Sequence, residues 1–300
     1  HPVRNRLRIQ LQGTSRLNSE LPRGSKPRVA YLTTEYPNVS HTFIRREIIG
    51  LEARGYSIHR ISIRVGKSIV EPIDFDEAKA TFHILQGGVL ERARYAMRGL
   101  THARHRLLNA ISEVWTLSKR SDRGLIRHMA YLLEALILLG FVRSQRIEHV
   151  HVHFGTNAAA IALLCRLLGG PGYSIAVHGP DEFDAPIGLS LDRKLESAEF
   201  VAAISSYCSA QLMRWSSSPN WHKISVVRCT VDDMWFKNSI EVDPNSHTFV
   251  SVGRLSEQKG QALLIESFAR ALGSVPDAKL LIIGDGPLRG ELERRIEHLG

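Results

Sequence analysis

Ser251–Gly260 reads SVGRLSEQKG, and Leu280–Leu288 reads LLIIGDGPL. Each stretch runs from an apolar strand-like segment into a glycine turn and then into an amphipathic segment. Gly253 ends the first run and frees the backbone to turn. Leu264, Ile265, Phe268 and Leu272 follow at helical spacing, which predicts a helix over 259–272. After the second run, Pro287 suits the first position of a helix whose Leu288, Leu292, Ile296 and Leu299 form one stripe. Strand–helix–strand–helix order implies parallel pairing through right-handed crossovers, hence a doubly wound α/β sheet.

The same alternation extends back towards the N-terminus. Strands are predicted at 28–34, 57–64, 81–85, 149–154, 173–177, 200–204 and 224–227. Helices are predicted at 42–54, with Ser40 or Thr42 as cap and Gly55 as stop, and at 205–215. A long helical region spans 89–145. The polar stretch KNSIEVDPNSH at 237–247 reads as a linker between a domain at 27–236 and a second at 248–300. Two strands and two helices make a small sheet with little core of its own, so the second domain reads as cut short. Residues 1–26 are basic, polar and aperiodic, and read as a flexible leader.

Composition limits the function classes. The hydrophobic fraction is 43% and the charged fraction 23%, ordinary for a globular protein. The longest apolar stretch, 129–142, is shorter than a bilayer span and carries Glu134. Cys165, Cys208 and Cys229 are too scattered for a disulfide framework or a CxxC site, so reduced thiols and a cytoplasmic location are expected. The net charge of +9 is uneven: +6 over residues 1–28, +7 over 91–146 and −4 over the rest. Such a block suits an anionic membrane surface or a pyrophosphate-linked lipid, unless it is only a solvated face. No aromatic reading motif accompanies it, so nucleic acid ranks last as a partner.

Arg254 and Lys259 stand five apart on either side of one short loop, with Lys259 expected at a helix start. In doubly wound sheets, ligands sit beyond the carboxyl ends of the strands. Two cations and a helix N-terminus gathered there can hold a diphosphate and stabilise it as it departs. Gly284, Gly286 and Gly290 have GxGxxxG spacing, which does not fit the dinucleotide fingerprint.

This strand–GRLxxxKG–helix segment, with its downstream strand–GDGP turn, resembles the family-four retaining glycosyltransferases of GT-B fold. The resemblance implies two Rossmann-like domains facing a cleft. It implies that Gly253, Arg254 and Lys259 hold the donor diphosphate, with Gly284 and Gly286 bordering the nucleotide pocket. In IAVHGPDEFD (Ile175–Asp184), His178 follows a predicted strand, and the resemblance places it at the donor sugar. Asp181 then supports His178, binds acceptor or only caps. The HVHFG run at 151–155 resembles the family's cleft border and gives His153 a site role, with a buried structural histidine as the competing reading. TTEYPNVSHTFIRREI (Thr33–Ile48) resembles the first loop of the exopolysaccharide and colanic-acid branch, where Ser40 and Thr42 offer hydroxyls to phosphate or acceptor. The paired glycines that many members carry there are missing. The family's two glutamates, eight apart, would lie beyond Gly300.

His149, His151 and His153 alternate with valines and share one strand face. Parallel side chains do not converge on one ion, and no nearby Cys, Asp or Glu completes a tetrahedron, so no metal is expected. The implied activity is metal-independent, retaining transfer of a hexose-like sugar from a nucleotide-diphosphate donor. The acceptor is a glycan or lipid-linked glycan, in cell-surface polysaccharide synthesis at the inner membrane face. The alternative is a non-catalytic GT-B-like module that binds nucleotide or glycan.

Overall fold

The run AYLT packs four consecutive buried residues, Ala30 to Thr33, into strand β1 (Arg28–Glu35). Burial on both faces is the mark of a central parallel strand. In a computed structural model, which describes residues 26–66, 71–231, 234–237, 243 and 245–300, β1 lies near the middle of a seven-stranded parallel sheet. Its neighbours are β2 (Ser57–Arg64) and, across the sheet's midline, β4 (His149–His153). The order is completed by β3 (Phe82–His83), β5 (Gly172–Val177), β6 (Phe200–Ala203) and β7 (Ile224–Val226), giving β3-β2-β1-β4-β5-β6-β7. Strand order therefore reverses between β1 and β4, and this switch point opens a crevice at the carboxyl ends.

Helices join the strands. α1 (Thr42–Ala53) leads from β1, and α2 (Pro72–Ala80) from β2. The expected helical region after β3 divides into α3 (Val89–Ala103), α4 (Leu107–Arg120) and α5 (Gly124–Ser144). α5 is longer than the apolar stretch suggested. By length and mean hydropathy of 1.7 it could cross a membrane, yet 61% of its apolar window is buried inside this unit. α6 (Asn157–Leu167), α7 (Pro180–Phe183), α8 (Leu191–Ser197) and α9 (Ser206–Arg214) complete the layers. Cys165 and Cys208 are buried free thiols, and Cys229 is exposed and free.

The chain divides into two compact units between Val231 and Asp232. The leader expected at 1–26 lies outside the described residues except for Lys26, as do 238–242 and 244 of the expected linker. After the short α10 (Met234–Lys237), the second unit pairs β8 (Thr248–Val252) with β9 (Lys279–Ile283) in parallel. α11 (Gln261–Ala271) and α12 (Arg289–Leu299) cover it around Leu255, Ile265 and Leu292. Two expected helix starts are corrected. Lys259 ends a single 3-10 turn, Glu257–Lys259, and α11 begins after Gly260 in the left-handed region. Pro287 precedes α12, whose N-cap is Leu288, and of the expected stripe Ile296 and Leu299 are exposed.

Candidate active site

In the second unit, the GRL and GDG turns are joined backbone to backbone. Gly253 N–H donates to Ile283 O, Leu255 N–H to Asp285 O, and Leu288 N–H to Leu255 O, all at 3.0–3.1 Å. A Cβ at Gly284 would lie 1.9 Å from Gly253 O, and one at Gly286 would lie 2.4 Å from Leu255 O, so both glycines are required by this approach. The buried Gln261 fixes the loop further, its Nε2 donating to Arg254 O at 3.0 Å. The Lys259 stem runs over Gly253, its Cδ and Cε 3.9 Å from where a Cβ would stand. The side chains of Arg254 and Lys259 are exposed, and neither has an ion-pair partner among the described residues. Two cations therefore sit over a rigid turn beyond the carboxyl ends of β8 and β9.

In the first unit, β4 and β5 bring His153 and His178 together, with His153 Nδ1 and His178 Nε2 sharing a proton at 3.1 Å. Phe43 and Phe154 flank the His178 ring at 4.8 and 4.7 Å between centroids. Gly179, at φ 133, makes the turn that lets α7 start. Burial, and then the nearby His41, push His178 down to about 4, while burial pushes His151 down to about 3 and His153 in the same direction. All three rings are thus neutral near pH 7, and His178 can act as a hydrogen-bonding group.

A carboxylate not foreseen in the sequence faces these rings. Glu47, on α1, accepts from Tyr31 Oη at 2.6 Å and lies 4.0 Å from His151 Nε2 and 3.7 Å from His153 Nε2. The ligand atoms of Glu47, His151 and His153 all lie within 4.8 Å of one another, so the fold brings to the histidine strand a carboxylate that no sequence spacing connects to it. These are residues that could hold a divalent ion. His149 and His151 both turn a ring nitrogen to Ser174 Oγ, at 2.8 and 2.7 Å, tying that end of the strand to β5.

The loops after β4 and β5 are held by a second buried pair that sequence reasoning missed. Glu182 accepts from Gly155 N–H at 2.9 Å and Gly179 N–H at 3.1 Å. Lys194 donates to Gly155 O and Thr156 O, both at 2.8 Å. Burial pushes Lys194 down to about 7 and Glu182 upward. Asp181 lines a neighbouring cavity of about 650 Å³ with Lys194 and Thr156. Ser40 is exposed in a 3-10 turn that Asn38 caps, and Thr42 is the first residue of α1, whose N-cap is His41. Neither hydroxyl caps α1 as expected.

The neutral histidines give stability a pH dependence. Their folded pKa values lie below the ordinary 6.5, so between about 4 and 6.5 the unfolded chain binds protons that the folded chain refuses. Stability therefore rises with pH across that window, by ~1.4 kcal/mol per unit for each fully buried ring. A falling Tm from pH 6.5 to about 4, with a shallower slope for His178→Asn, is expected in thermal melts. A slope untouched by that substitution contradicts the assignment.

The segment that holds this loop pair is similar to known proteins. Residues 235–300 match the family Glycosyl transferases group 1. An uncharacterized glycosyltransferase of Methanocaldococcus jannaschii is 38% identical over 81 residues, 27% of this chain and 20% of that protein. The uncharacterized glycosyltransferase YqgM of Bacillus subtilis is 28% identical over 153 residues, 48% of this chain and 41% of that protein. The matches thus span less than half of either relative. Among solved structures, TarM superposes with a TM-score of 0.58 at 7% identity, covering 92% of this chain and 75% of that one. A glycosyltransferase from Rickettsia africae gives 0.54 at 13% identity, covering 91% of this chain and 65% of that one. At such identities the likeness shows the fold, which is the Rossmann-like α/β arrangement of GT-B proteins.

Proposed function

We propose that this chain takes part in transferring a sugar from a nucleotide-diphosphate donor to a glycan acceptor. The observation that carries the reading is the zipped pair of loops at 253–260 and 284–288, with two cations lacking ion-pair partners among the described residues, inside the segment that matches the glycosyl transferases group 1. Arg254 and Lys259 bind the donor diphosphate and stabilise it as it leaves, where electrostatic effects on rate are largest. His178, neutral and buffered by His153, donates or accepts one hydrogen bond at the sugar, and Asp181 serves the acceptor side.

The finer reading is a retaining, metal-independent hexosyl transfer in cell-surface polysaccharide synthesis, with the enzyme peripheral to an anionic membrane. Support for the membrane comes from exposed apolar stripes beside basic residues. Leu108, Ile111 and Trp115 lie along α4, and Ile126, Met129 and Leu133 along α5. The test is a transfer assay with UDP-, GDP- and ADP-linked hexoses and lipid-linked glycan acceptors, run with and without EDTA. Acceptor-dependent product that persists in EDTA is expected. Loss of transfer in EDTA, restored by zinc, would instead assign a metal to Glu47, His151 and His153. Nucleotide binding without transfer to any acceptor would favour a binding module.

A further inference from the structure

The switch point between β1 and β4, within the first unit, carries its own ligand-binding features. Thr34, at the end of β1, donates to Asn157 Oδ1 at 2.6 Å, and Thr156 Oγ1 approaches the same oxygen at 3.3 Å. Oδ1 is thus engaged twice, while the Asn157 Nδ2 donors meet no acceptor among the described residues. Asn157 also opens α6, whose N-cap Thr156 makes no side-chain capping bond. Around this point, Arg64 from β2 and Arg123 and Arg127 from the start of α5 line a crevice of about 530 Å³ with Thr34 and Asn157.

No carboxylate lines that crevice, and none of the three arginines has an ion-pair partner among the described residues. Tyr131 positions two of them: Arg123 Nη1 donates to its Oη at 3.1 Å, and the Arg127 guanidinium stands 6.0 Å from its ring centroid. The acid that senses Arg64 and Arg127 is Glu134, which burial pushes up to about 7, so it neutralises them only in part. Three guanidinium groups concentrated at a crevice repel one another unless an anion joins them. Their planar forks match phosphate oxygens in bidentate fashion.

We propose that this arginine crevice binds the phosphate or diphosphate group of the acceptor. The word acceptor rests on the transferase reading above; the anion site itself does not. A diphosphate suits three cations and this volume better than a single carboxylate. Ile126, in the first turn of α5 and 90% exposed, falls between Arg123 and Arg127 in the chain, so an apolar side chain is available next to the arginines, as a lipid-linked diphosphate would require.

A chain carrying Arg254→Ala and Lys259→Ala removes the donor site and leaves the crevice intact. Titrated with inorganic pyrophosphate, it is expected to bind one equivalent. Adding Arg64→Gln and Arg127→Gln is expected to weaken that binding by about tenfold or more, with an unchanged melting curve. Unchanged affinity in the folded quadruple variant, or no pyrophosphate binding before the arginines are replaced, overturns the proposal. If the quadruple variant does not fold, Arg127→Gln alone, on an exposed helix face, must weaken binding severalfold. Two further probes separate the sources of the anion. Flotation with phosphatidylcholine vesicles carrying polyprenyl diphosphate, displaced by free pyrophosphate, assigns a lipid-linked acceptor. Binding of glucose 1-phosphate without flotation assigns a soluble one, and failure of both overturns the acceptor role. If arginine-dependent pyrophosphate binding persists in a wild-type chain that binds no nucleotide sugar, the transferase reading falls and the anion site stands.

Discussion

Arg254→Ala and Lys259→Ala are each expected to lower sugar transfer by roughly 10²–10³-fold, the effect of removing one preorganised group from developing charge. Both side chains are exposed and lack ion-pair partners among the described residues, so neither substitution should disturb folding. The turn beneath them is fixed by its own backbone bonds and by Gln261, not by these cations. A melting curve close to wild type beside a collapsed kcat/KM is therefore the expected signature. Because both cations act on one diphosphate, the double variant should fall short of the product of the single losses. Wild-type turnover in either single variant would remove the donor assignment from this loop.

Glu182→Ala is expected to cost about 3 kcal/mol of stability, through two mechanisms that point the same way. It leaves the buried Gly155 N–H and the half-buried Gly179 N–H without their acceptor, and it strips Lys194 of a compensating carboxylate. The loops after β4 and β5 both depend on this residue, so activity should fall together with Tm as His178 loses its fixed position. Glu182→Gln keeps one acceptor oxygen and the same shape, and should retain part of the stability. Chemical denaturation of the three proteins reads the difference directly. A Glu182→Ala chain as stable as wild type would show that the loops are held some other way.

The strands were legible because each is a short apolar or alternating run bounded by turn residues: Ser57–Arg64 falls where the sequence places it, and Phe200–Ala203 and Ile224–Val226 each end one residue before the expected bound. α2 was not foreseen, since charge pairing and not an apolar stripe holds it. Its buried Asp74 bonds to Arg45, and its buried Glu77 to Arg60 and Tyr36. The sequence pattern starts α11 and α12 early, at Lys259 and Pro287, because a 3-10 turn and the backbone ties of the GDG turn occupy those positions in the fold. Among the candidate site residues of the two units, His153, His178, Arg254 and Lys259 stand out because motifs carry them. Glu47, Lys194 and the three crevice arginines do not, because they converge from separate elements that no local spacing connects. Glu182 lies within HGPDEF, but its burial and its bonds to two loop glycines exist only in the fold.

The most direct test of the donor assignment is backbone amide mapping by NMR during titration with UDP, GDP and ADP. One of the three is expected to shift amides at 253–260 and 284–288, and Arg254→Ala with Lys259→Ala should abolish those shifts. Shifts confined to other residues, or none with any of the three nucleotides, would contradict a nucleotide-diphosphate site on this loop pair.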